Sequence, residues 1–419
     1  MKNIVILGGG LSGLAAAETL AGKYNVVVLE KESMLGGLAS SYYYKGTWIP
    51  IVYHHIMKVD KFTLEYIKKY NLSKYLYWNS INMSFWYGNK SYPLTKPEHI
   101  LTFKPLSIKS RMNLIKLGLY VRFKNKNANL EGVPADVWLN KFANKEVTEK
   151  IFKRLAEIKF GALSSVDAAW FVSRLHEAAK TRDKYAYLSC GYQELIDSMA
   201  NYIKDKGGTI KTNAQIKEIK KDKVIVIIDG KQETFKADKI ISSVPPKTLA
   251  KISDLSSDVK GELNKIDYKA IICMLFTTKN KVMKEYWNIF IEPELSFGGI
   301  FNHSALYPKQ IVEGENLFYV FKYIDYNDSF YKLDEDIIRD KFFEDLRKLF
   351  PDVDPIWAKV FKIKESSPVF AKAYKNLPIK ISDNMYLTGV YKEYPCTRTM
   401  HTALESGVKT ANYILKELD

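Results

Sequence analysis

Three glycines near the front of the chain, Gly8, Gly10 and Gly13, fall at the spacing G-x-G-x-x-G, and an acid, Glu30, follows. This combination suits one task, the holding of a dinucleotide. Gly8 permits a tight turn, Gly10 lets backbone approach a pyrophosphate, and Gly13 lets a helix pack close to a strand. Leu11 and Ser12 lie inside the turn, and the helix that follows faces the phosphates with the partial positive charge of its N-terminus. Glu30, with Lys31 beside it, is placed to accept hydrogen bonds from a ribose diol.

The spacing means little unless the right elements position it. Ile4–Leu7 is an apolar run typical of a strand buried on both faces. Leu14–Leu20 reads as a helix with a small-residue face, Gly22 ends it, and Asn25–Glu30 reads as a second strand. A strand, a glycine turn, a helix and an acid at the next strand end together make a dinucleotide-binding βαβ unit.

A second pair, Gly36-Gly37, follows the acid. A nicotinamide site does not require it; it lets backbone approach another stretch of cofactor. Here the chain resembles the FAD-dependent amine oxidase superfamily, which includes protoporphyrinogen oxidases, phytoene desaturases and, more distantly, UDP-galactopyranose mutases. Tyr53-His54-His55, Lys159-Phe160-Gly161, Ala169-Trp170 and Tyr394-Pro395 through Arg398 carry the likeness to protoporphyrinogen-oxidase-like members. The family often has Arg after the glycine pair; this chain has Leu38, so one cofactor contact differs.

The resemblance implies an α/β chain: a discontinuous Rossmann-type FAD-binding domain (1–42, 189–246 and 381–419) and a mixed α+β substrate or cap domain (43–188 and 247–380). It implies that Ile216 holds the adenine edge through its backbone. Helical periodicity is expected over 191–203, a hairpin around Asp229-Gly230, and a strand ending at Gly389. A long helix from Arg398 to Leu418 would aim its N-terminus, with Arg398, Thr399 and Met400, at the flavin; the plain alternative is a docking helix. The block 43–188 reads as largely helical.

His54, Arg174 and Tyr394 are the candidate catalytic residues. Adjacent histidines on a strand point to opposite faces, so only one of His54 and His55 can face a ring, and His54 matches the mutases better. Imidazole can hydrogen-bond flavin or move a proton; two structural histidines are the alternative. Arg174, in an apolar helical stretch, wants an anion, either a substrate group or an internal carboxylate. Tyr394 lies in a Tyr-rich loop beside Arg398. His401 is one turn into the last helix.

Bulk properties bound the rest. The 419 residues carry a formal charge of +16, but the basic residues are spread along the chain, which argues against nucleic acid as a partner. Three scattered cysteines form no CxxC pair, so neither a disulfide framework nor a metal site is expected, and a cytoplasmic setting fits. The basic segment 110–124 reads as a cap helix packing inward, with a membrane surface as the alternative. A small-molecule substrate, anionic in one reading, and a monomer or homodimer are expected. The leading function is an FAD-dependent oxidoreductase that oxidises a C–N or C–C bond by hydride transfer to flavin N5. The alternative is a non-redox sugar-nucleotide mutase.

Cys396 stands near the flavin-facing loop, but the family's covalent flavin cysteine lies elsewhere in the chain. Acid precipitation of the purified protein therefore releases all its FAD into the supernatant. Flavin left on a peptide containing Cys396 would contradict this.

Overall fold

A computed structural model describes every residue except 89, 124–129, 182, 292–293, 310–311, 372–373 and 419. Five strands form a parallel sheet: β1 (Asn3–Leu7), β2 (Asn25–Leu29), β3 (Thr209–Lys211), β4 (Lys239–Ser242) and β5 (Met385–Leu387). Their order is β3-β2-β1-β4-β5. Ile4 to Leu7 have no exposed surface, because both faces are covered. Ile4 and Ile6 join one apolar cluster with α1 (Leu11–Leu20), α2 (Tyr192–Asp205) and α3 (Met400–Leu418). Val5 and Leu7 join a second cluster beneath the antiparallel meander 214–236.

Helix α1 is buried on almost every side, as a helix apolar all round must be. Helix α3 crosses it where Gly407 faces Ser12, Ala15 and Ala16; a Cβ at Gly407 would lie 2.2 Å from the Ser12 carbonyl oxygen. The small-residue face of α1 is what admits the crossing. It brings the last helix against the first glycine turn.

A seven-stranded mixed sheet forms the other large body, in the order 355–368, 268–278, 316–324, 299–302, 287–290, 83–87, 90–93. Helix Arg154–Lys159 packs on its strand 316–324 and helix Glu335–Leu349 on its strand 355–368, while Ile108–Phe123 packs against Ala168–Thr181. The hairpin at Asp229-Gly230 is present, with both residues left-handed.

Three expectations change. The last helix begins at Met400, not Arg398, because Thr399 and Thr402 cap it: the Thr399 N–H donates to Thr402 Oγ1 at 2.9 Å and the Thr402 N–H to Thr399 Oγ1 at 3.2 Å. The block 43–188 is mixed rather than largely helical; its strands at 76–80, 83–87 and 184–188 are short and aromatic, and they draw their partners from distant segments. His54 and His55 lie in a coil ahead of the strand Ile56–Met57, not on a strand. Of the basic segment 110–124, Lys124 lies outside the described residues.

Gly407→Leu forces α1 and α3 apart. We expect a loss of roughly 1–3 kcal/mol in stability, the usual cost of overpacking, read by urea denaturation. A wild-type midpoint would show that the crossing is not close-packed.

Candidate flavin site

The glycine turn builds a cradle. Gly8 ends β1 and donates its N–H to the Leu29 carbonyl at 2.8 Å. Gly10 is the N-cap of α1 and offers no side-chain cap, so the first-turn N–H groups of Leu11, Ser12 and Gly13 have no acceptor within the helix. Those three residues are buried. A Cβ at Gly13 would sit 2.0 Å from the Gly8 carbonyl oxygen, so only glycine fits.

The second glycine pair folds back onto this turn. Gly36 donates its N–H to the Gly9 carbonyl at 2.8 Å and pairs with Gly10 as a β-bridge. Gly36 and Gly37 take φ of +111° and +57°, which favours glycine at both. Leu38 follows, half-buried, in a short 3-10 turn.

Glu30 is buried at the cradle's edge. Its carboxylate accepts the N–H of Gly9 at 2.6 Å and of Glu32 at 2.9 Å, which fixes both oxygens while leaving each a further lone pair. Lys31 is exposed and pairs with Glu32 at 3.4 Å, a solvated contact of little energy. Ile216, half-buried, lies where the meander's ladder shifts register before Glu218.

At the far end, Gly389 donates its N–H to Ser406 Oγ on α3 at 3.0 Å. Arg398 is clamped just ahead of α3: one guanidinium nitrogen bonds Ser366, and the other donates to Tyr323 Oη at 3.0 Å. Tyr323 in turn bonds Tyr53 Oη at 2.9 Å. Thr399 caps α3 and Met400 is buried in its first turn.

These residues fit FAD on three counts. The buried first turn of α1 has no side-chain cap, so its N–H groups find no acceptor in their own helix. A Cβ at Gly10 would meet no protein atom nearer than 4.0 Å, so backbone there faces open room. Ser41, Thr388 and Thr397, each close in sequence to a cradle or loop residue, carry buried hydroxyls with no partner.

Tyr53, Tyr286 and Trp287 pack around Phe301 in an aromatic cluster that also holds His55. His54 Nδ1 contacts the Val52 carbonyl oxygen at 2.7 Å, so Nδ1 carries the hydrogen and Nε2 is left as acceptor. His55 turns the other way, with Nδ1 3.0 Å from Tyr286 Oη and its ring against Tyr185. Burial pushes His54 down to about 4 and His55 to about 3; the Arg398 charge adds to the first shift, and Arg174 and Lys159 to the second. Both imidazoles are neutral at neutral pH. Asp60, buried and accepting the Met57 N–H at 2.7 Å, is raised by burial to about 7.

Lys159 belongs to the Lys159-Phe160-Gly161 motif. It ends the helix Arg154–Lys159, with Nζ 4.7 Å from the Trp287 ring centre and 5.9 Å from that of Tyr53. Among the described residues it has no carboxylate within ion-pair range. Burial, then the charges of Arg174 and Arg398, hold its amine well below the usual lysine range. The signal in the sequence was a lysine among apolar residues just before a glycine; nothing there showed what surrounds it.

Arg174 shares this neighbourhood and sits 3.9 Å from Glu177 on its own helix. His54, Arg398, Lys159, His55 and Arg174 are thus brought within electrostatic reach of one another. Tyr394 stands apart from this group. Its hydroxyl donates to Asp167 Oδ1 at 2.8 Å, and Asp167 also accepts the N–H groups of Gly132 and Ala169.

A family model for flavin-containing amine oxidoreductases matches residues 11–415, and the chain belongs to that family. Its cofactor is FAD. The chain is 24% identical over 272 residues to a flavin-containing amine oxidase of Danio rerio, covering 60% of this chain and 51% of that protein. It is 26% identical over 249 residues to an L-amino-acid oxidase of Crotalus adamanteus, covering 53% and 45%. The chain spans about half the length of these curated relatives. Among solved structures, a protoporphyrinogen-oxidase-like protein from Exiguobacterium sp. superposes with a TM-score of 0.79 at 15% identity, covering 99% of each chain. Putrescine oxidase bound to putrescine gives 0.74 at 14%, covering 99% of each chain. Reduced UDP-galactopyranose mutase gives 0.76 at 13%, covering 100% of this chain and 96% of the other. These likenesses show a shared fold.

The two buried histidines make a pH prediction. Both folded-state values lie below the free imidazole's 6.5, so the unfolded chain binds more protons in that interval. Their contribution is complete above pH 6.5 and is lost as pH falls through it toward about 3 to 4. His55→Phe lowers the acid slope of stability by about one proton, read by urea denaturation at stepped pH. An unchanged slope would contradict the neutral assignment.

Proposed function

We propose that this protein is an FAD-dependent oxidase of a small molecule, oxidising a C–N or C–C bond held against the aromatic cluster. The observation that carries this reading is Lys159, whose amine lies over Trp287 and Tyr53 with no carboxylate partner among the described residues, and which burial holds well below the usual lysine range. FAD, when bound, supplies the hydride acceptor at N5.

The chain's own part is binding, orientation and proton transfer. Flat walls of Tyr53, Phe301, Trp287 and Tyr286 favour apolar or planar substrates. Lys159 Nζ, in its deprotonated form, accepts the proton that an ammonium substrate must shed; burial and the neighbouring guanidinium charges favour that form. The freed nitrogen lone pair then forms the C=N bond as the hydride leaves carbon. His54 offers Nε2 as a second acceptor. Arg398 acts as a positioning residue, aligning Tyr53 through Tyr323. Tyr394 joins the C-terminal loop to Asp167, and we assign it positioning as well. Cradle contacts fall to Gly8 through Gly13, Glu30, Gly36 and Gly37, and the adenine edge to Ile216.

A second reading keeps one observation. Lys159, Arg174 and Arg398 face one region against two acids, Asp60 and Glu177, which suits an anionic substrate such as a nucleotide sugar. Sugar-nucleotide mutase chemistry would then proceed without net oxidation.

Anaerobic mixing separates the readings. Amines or reduced polycyclic substrates should bleach the flavin's visible absorbance, and Lys159→Met should slow that bleaching by about a hundredfold or more, the usual weight of one acid–base group. No bleaching by any of them, with isomerisation of UDP-sugars by the dithionite-reduced protein, would overturn the oxidase reading in favour of the mutase.

A further inference from the structure

Thirteen large apolar side chains are exposed among the described residues, and six of them, Leu101, Ile108, Met112, Leu119, Phe123 and Val137, crowd into residues 101–137. Four lie on the helix Ile108–Phe123. Ser110, Leu114, Leu117 and Val121 form its buried face. At the helical advance of 100° per residue, Ile108, Met112, Leu119 and Phe123 share an arc of about 60° on the opposite side. Ile108 and Phe123 are 76% and 77% exposed. The helix therefore has two apolar stripes, one toward the protein and one toward solvent. A helix meeting only its own protein needs just the first.

Charge says what the second stripe meets. The sixteen residues include Lys109, Arg111, Lys116 and Arg122 and no acid. Arg111 is tied to the Leu101 and Leu106 carbonyls at 2.8 and 2.9 Å, while Lys116 leans over the Phe142 ring at 5.6 Å. Apolar side chains flanked by cations match a bilayer surface whose headgroups are anionic. A second copy would set one cationic helix against another and would be repelled. Spanning is excluded for this helix, since no helix among the described residues is long and apolar enough to cross a membrane.

We propose that Ile108, Met112, Leu119 and Phe123, with their flanking cations, dock this protein in the plane of an anionic membrane surface. Insertion is shallow, and the long basic side chains reach up to the headgroups.

Sedimentation of the FAD-loaded protein with phosphatidylcholine vesicles, with and without phosphatidylserine, tests this. Binding is expected only with phosphatidylserine, and should weaken as salt rises. Leu119→Glu with Phe123→Glu should lower partitioning about a hundredfold, with melting temperature and flavin absorbance unchanged. Lys109→Glu with Lys116→Glu should remove the preference for phosphatidylserine, and serves as the test should the first pair lose its flavin. Wild-type protein that ignores both vesicles, or variants that bind like wild type, would overturn the proposal. So would a wild-type dimer that Leu119→Glu with Phe123→Glu converts to monomer, since the stripe would then belong to a second copy.

Discussion

The structure depends on one close approach, that of the second glycine pair to the first. Gly36 bonds the Gly9 carbonyl and bridges to Gly10, directly over the N-terminus of α1. That contact fixes where β2's following loop returns. It also closes one wall over a buried helix turn whose N–H groups find no acceptor in their own helix. Buried donors without acceptors are costly, by about 1–3 kcal/mol each. A pyrophosphate placed there would supply acceptors and would be favoured by the helix dipole at the same point.

From this cradle the geometry runs outward in one direction. The α1–α3 crossing at Gly407 carries the last helix to the cradle, and the loop before α3 places Arg398. Arg398 holds Tyr323, and Tyr323 holds Tyr53, so the large mixed sheet is tied to the cofactor's surroundings by a short chain of hydrogen bonds. Tyr53 then belongs to the aromatic cluster against which Lys159 rests. Each link spans segments far apart in sequence.

That distance explains what the sequence could show. Glycine spacing, strand–helix alternation and the acid at Glu30 are local, and they were legible, as were the hairpin at Asp229-Gly230 and the helix at 192–205. The start of α3 was missed by two residues, because capping by Thr399 and Thr402 competes with helical periodicity. The aromatic cluster was largely hidden. Lys159, Trp287 and Tyr53 come from three separated segments, and no period in the sequence links them. Tyr394 stood beside Arg398 in sequence, yet its hydroxyl reaches Asp167 instead. Adjacent residues in a loop need not share a direction.

Everything above rests on backbone at Gly10 facing cofactor rather than protein. Its φ of −74° suits any residue, and a Cβ there meets no protein atom nearer than 4.0 Å. Gly10→Val should therefore leave the apoprotein's melting temperature near wild type while filling the space above α1. Titrating the Gly10→Val apoprotein with FAD should show affinity lowered by roughly a hundredfold or more, the loss of two charge-assisted hydrogen bonds. Wild-type FAD affinity in that variant would contradict the account.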